Sequence, residues 1–94
     1  MNNTAISNID KEKIYKIVMN LNSKTDKQKD RFVRFFGLKP KSFKKETLSE
    51  IALDYECTPS AIRSSIRSVK ITLYRIPEDR FEVLNKIYQK YRIM

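Results

Sequence analysis

Apolar residues along this chain recur at intervals of three and four, the spacing of helices that bury one face. From Asp10 to Leu21, the residues Ile14, Ile17, Val18 and Leu21 form one stripe. Lys11, Lys13 and Lys16 face out, and Asn22-Ser23 stops the run. Residues 1–9 ahead of it are polar and expected to be disordered, with Asn8 or Asp10 available as a cap. Thr25-Asp26 opens a second helix anchored by Phe32, Phe35 and Phe36. Gly37, the only glycine, follows where a helix end turns left-handed, and Leu38 is placed to tuck back onto that end. Residues 39–45, KPKSFKK, read as a basic loop pinned by Phe43.

The pattern is most regular between Thr47 and Arg75. Leu48, Ile51, Ala52 and Tyr55 share one face of a short helix, and Ile62, Ile66, Val69 and Leu73 share one face of a longer one. Thr58-Pro59 marks the start of the longer helix, a hydroxyl cap followed by a proline whose missing N–H costs nothing there. Its opposite face carries Ser60, Arg63, Ser64, Arg67 and Lys70. Ile76-Pro77 ends it, and Glu78-Asp79 opens a last helix with Phe81, Leu84, Ile87 or Tyr88, and Tyr91 on one stripe. Period-two alternation is confined to a weak patch at Ile71–Leu73. The expectation is an all-α, single-domain chain of about five helices. It has an N-terminal helix over 10–22, a core over 25–75 containing a helix-turn-helix at 47–75, and a C-terminal helix over 78–92.

Charge changes the picture. The 94 residues carry a net +9 with no histidine, which favours polyanionic partners. Residues 24–45 hold nine Lys/Arg against Asp26 and Asp30, a net +7, whereas 46–60 hold only Glu46, Glu50, Asp54 and Glu56. Residues 61–77 return to +4. Positive charge therefore lies on both sides of an acidic first helix of the pair. A single cysteine, Cys57, precludes an intramolecular disulfide and reads as a small core residue. No apolar run approaches a membrane span and no signal-peptide hydrophobic region is seen, so the expected location is cytoplasmic, associated with the nucleoid.

The candidate chemistry is binding. With no histidine, no cysteine pair, no glycine-rich phosphate loop and no carboxylate pair in an apolar setting, neither an enzyme nor a metal or other cofactor is expected. A helix with an apolar seam and a basic, hydroxyl-rich outer face, preceded by a short helix and a turn, has the form of a helix-turn-helix DNA reader. Pro59, Ser60, Arg63, Ser64 and Arg67 are the candidate base or groove contacts. Arg63 and Arg67, four apart, reach toward one groove, while Ser60 and Ser64 either hydrogen-bond or simply permit close approach. Lys44, Lys45, Thr47, Thr58 and Lys70 are the candidate phosphate contacts; for Lys44, Lys45 and Thr47 the reason is a helix start, where free N–H groups and positive charge favour phosphate. Phe32, Phe35 and Phe36 read as core rather than as stacking platforms. Tyr88 and Tyr91 either cap the core or form a partner surface.

Residues 25–75 also resemble the fourth conserved region of vegetative-type bacterial sigma factors, which recognises the upstream (−35) promoter element. The resemblance rests on Thr25 followed by Phe36-Gly37-Leu38, a variable loop over 39–46, Thr47-Leu48-Ser49-Glu50-Ile51, Thr58, Ile62-Arg63 and Leu73. The chain departs from the family at Phe35, at Glu56 where the turn often has glycine, at Pro59, Ser60 and Ser64 on the recognition helix, and at Ser65 in an apolar position. Of the usual base-reading set only Arg63 remains, and the other sigma regions are not seen. A looser similarity, from Thr58 to Arg67, is to the effector domain of the sporulation response regulator. The resemblance implies a bacterial or phage transcription regulator binding double-stranded DNA; a homodimer joined through its terminal helices is one form such a regulator could take. Alternatively, the resemblance implies a sigma-like accessory subunit on the RNA polymerase β-flap, or an anti-sigma or phage-type interaction module.

Overall fold

The structure, a computed structural model, describes residues 7–75. Four helices follow one another: α1 Asn8–Met19, α2 Asp26–Phe36, α3 Leu48–Tyr55 and α4 Pro59–Leu73. The described residues contain no strand, so the alternating patch at Ile71–Leu73 is helical. Residues 1–6 and the expected C-terminal helix over 78–92 lie outside the described residues, as does Pro77. No helix among the described residues is long and apolar enough to cross a membrane.

The helix starts follow their hydroxyl residues. Thr25 and Thr47 each accept an N–H from the third helical residue, and Gln28 and Glu50 reach back to the cap N–H, forming two complete capping boxes. Thr58 caps α4 by accepting the Ala61 N–H at 3.2 Å. The start of α1 differs from the expectation. Ser7, not Asn8 or Asp10, is the cap, accepting the Asp10 N–H at 3.1 Å, so Asn8 and Ile9 are helical rather than disordered. The serine hydroxyl supplies the oxygen acceptor that a first turn needs. Helix α1 also stops earlier than Asn22-Ser23, at Asn20, whose side chain bonds back to the Lys16 carbonyl.

The core follows most of the expected seam, with Val33 added and with Ile17, Leu21 and Phe35 only partly buried. Ile14 and Val18 of α1, Phe32, Val33 and Phe36 of α2, Leu38 of the following loop, Ile51 and Ala52 of α3, and Ile62, Ile66, Val69 and Leu73 of α4 are all buried. Cys57, Leu48, Tyr55 and Phe35 pack on it partly buried. Each fully buried aliphatic or phenyl side chain contributes about 1.5–3 kcal/mol over its exposed state. Helix α4 is the hub, with α2 and α3 both packed extensively against it.

Gly37 ends α2 in the left-handed region at φ 66°, and both its N–H and that of Leu38 return to the Val33 carbonyl. A second constraint acts there, since a Cβ on Gly37 would lie 2.9 Å from the Phe43 carbonyl oxygen and 2.7 Å from Lys45 Cγ. The 39–46 loop thus closes over the helix end. It is fastened at its far end by the Glu46 N–H on the Arg34 carbonyl, at 3.0 Å. Between α3 and α4 run only Glu56, Cys57 and Thr58. Glu56, where the resembled family often has glycine, takes the left-handed conformation (φ 55°, ψ 47°) with a side chain in place.

Candidate nucleic-acid interface

Helix α4 presents three distinct faces. Its apolar face is the seam just described. A second face is a row of small residues, Ala61, Ser65, Ser68 and Thr72, spaced four, three and four apart. Two cations reach this row: Arg31 Nη1 donates to Ser65 Oγ and Lys24 Nζ to Ser68 Oγ, both at 2.7 Å. The third face is exposed and carries Ser60, Arg63, Ser64 and Arg67, with Ile71 exposed beyond them.

That outer face matches the sequence expectation in its exposure. Ser60, Arg63, Ser64 and Arg67 together line a shallow open depression of about 330 Å³. Pro59 stands exposed at the first helical position beside it. Neither Arg63 nor Arg67 makes a hydrogen bond or ion pair with the described residues. Lys70, one turn further on, is half-buried with its ammonium 5.7 Å from the Tyr74 ring centroid. Lys44 and Lys45 are exposed immediately ahead of α3. The Thr47 and Thr58 oxygens are both engaged as caps, which leaves each hydroxyl hydrogen free to donate.

The basic run over 24–34 has a different character from the one its charge suggests. Lys29 is 8 % exposed and donates to the Met19 carbonyl at 3.1 Å, tying α2 to the end of α1. Arg34 spans three elements. Its Nε and Nη2 take both oxygens of Glu46, at 3.0 and 2.7 Å, and its Nη1 takes Asp54 Oδ2 at 2.8 Å, with Asp30 at 3.6 Å. The bidentate bond to Glu46 raises the guanidinium pKa and holds the Glu46 carboxyl below the usual carboxylate range. Part of the acidic charge of 46–56 is therefore matched by α2.

Tyr55 completes this polar cluster. Its hydroxyl donates to Asp30 Oδ2 at 2.6 Å, and the Arg31 guanidinium lies 4.4 Å from its ring centroid. Burial first, then the bond to Asp30, pushes the Tyr55 hydroxyl up to about 12. Sequence reading missed Arg31, Arg34 and Ser65 as a set. The available signal was Ser65 itself, a polar residue at an apolar position of α4. It is 7 % exposed and bonded to Arg31. Comparison with protein-family models, curated proteins and solved structures finds no match to the chain.

Proposed function

We propose that this protein is a sequence-specific DNA-binding regulator of transcription, with α3 and α4 acting as a helix-turn-helix and α4 entering the major groove by its first turns. The observation that carries the reading is a contrast among arginines. Arg31 and Arg34 are taken up by internal contacts, whereas Arg63 and Arg67 stand exposed beside two serines on one face of α4 without a partner among the described residues. Guanidinium forks suit guanine edges and phosphates, and a net charge of +9 draws the chain to polyanions. In this reading Lys44, Lys45 and Lys70 hold phosphates, joined by the Thr47 and Thr58 hydroxyls. The similarity to the fourth sigma region supports the same assignment. Binding to a random-sequence duplex, titrated with salt, tests it. Neutralising about five phosphates gives a log–log slope of about −4 to −5, and a slope near zero refutes the reading.

One observation favours a second reading. Leu53 is 81 % exposed on α3, an apolar side chain on an otherwise polar helix face, and such exposure suits a protein partner. An accessory subunit of RNA polymerase would use such a contact. It would bind free DNA feebly and be retained by the isolated polymerase β-flap, where a stand-alone regulator would not.

A further inference from the structure

We infer that the DNA site taken by α4 is defined by guanine at two nearby positions, one read by Arg63 and the other by Arg67 through O6 and N7 in the major groove. The inference rests on the DNA-binding reading above and deepens it. Base discrimination in the major groove comes mainly from side chains with a fixed two-point match: Asn or Gln for adenine, Arg or Lys for guanine, and Asp or Glu for cytosine. Helix α4, Pro59–Leu73, contains no Asn, Gln, Asp or Glu. Along its first turns the exposed face offers Ser60 and Ser64, which suit any base, and the two arginines, with the apolar Ile71 exposed one turn beyond Arg67. The polar side chains of this face therefore specify guanine and leave the other bases without a two-point reader.

Geometry supports two readers rather than one. Arg63 and Arg67 are four residues apart, about 6 Å along the helix axis. Against a rise of about 3.4 Å per base pair, the two forks fall on bases within about three steps of each other. No long side chain stands between them, because Ser60 and Ser64 floor the depression that the arginines flank. A base edge can thus come close to the helix, and neither guanidinium is engaged by another of the described residues. The face is also held from behind. The bonds to Ser65 from Arg31 of α2 and to Ser68 from Lys24, just ahead of α2, add directional ties between α4 and this neighbouring segment on the side away from the arginines.

The test is selection of duplexes from a random library by the full chain, followed by single replacement of each guanine with 7-deazaguanine. This removes the N7 acceptor while leaving pairing and phosphates intact. The selected sites should carry two guanines within about three base pairs, and each replacement should weaken binding about five- to hundredfold. Arg63→Ala should abolish the sensitivity at one of these positions and Arg67→Ala at the other. Both side chains are exposed, so the variants keep the core intact. Binding that is indifferent to 7-deazaguanine, or selected sites without guanine, would overturn the inference by assigning the arginines to phosphates, with the DNA-binding reading intact. Absence of binding to every duplex would overturn both.

Discussion

Replacing Arg34 by Met removes the charge that joins α2, the loop before α3 and α3 itself, while keeping most of the stem's volume. The guanidinium and Glu46 side chains are only 20 % and 23 % exposed, so their bidentate pair belongs near the lower end of the charge-assisted range, about 1.5 kcal/mol. Asp54 is 66 % exposed and adds only a few tenths, roughly 0.3 kcal/mol. The loss should be about 2 kcal/mol, which for a domain of this size lowers Tm by about 8–16 °C. Thermal unfolding followed by circular dichroism at about pH 7 and about pH 2 checks both size and cause. Glu46 ionises at lower pH in the folded chain than in the unfolded one. The stabilisation is therefore complete above the unfolded carboxylate pKa and is lost as pH falls through the folded one. The gap between Arg34→Met and the parent should close in acid. A gap that keeps its full size at about pH 2, or one below about 2 °C at neutral pH, refutes the electrostatic account.

Three further outcomes follow from single positions. Gly37→Ala should cost about 2 kcal/mol or more in chemical denaturation, because it adds left-handed strain to a Cβ placed 2.9 Å from the Phe43 carbonyl oxygen. Glu56→Gly should instead stabilise by about 0.5–1 kcal/mol in the same assay, by relieving a side chain held at φ 55°. In an alkaline absorbance titration, one tyrosine should ionise near 12 and be missing in Tyr55→Phe. Since Tyr55 keeps its proton longer in the folded chain, the stability tied to it is whole below about pH 10 and disappears as pH rises toward about 12.

Much of the fold was legible because it rests on local rules. Thr25, Thr47 and Thr58 begin helices where hydroxyl caps should, Gly37 ends one, and the apolar seam of Ile62, Ile66, Val69 and Leu73 is buried along its whole length. The start of α1 was misplaced because Ser7, Asn8 and Asp10 are all competent caps, and sequence alone does not choose among them. The inward arginines were illegible for a different reason. Arg31 and Arg34 sit in a run of cations that reads as a solvated face, and their partners Ser65, Glu46 and Asp54 lie 12 to 34 residues away. Only the packing of α2 against α3 and α4 brings those groups together. The outward residues Ser60, Arg63, Ser64 and Arg67 were legible because they share one helix and a simple period.

The serine row on α4 has a consequence for how such a surface could change. Apolar seams hold a helix by shape alone, without directional bonds. Two hydroxyls one turn apart, each met by a named cation, supply two such bonds. The roll of α4 is in effect tied at two points. Residues on its outer face can therefore be exchanged one at a time with both ties kept, whereas a change at Ser65 or Ser68 removes one of the two directional ties that supplement the buried seam.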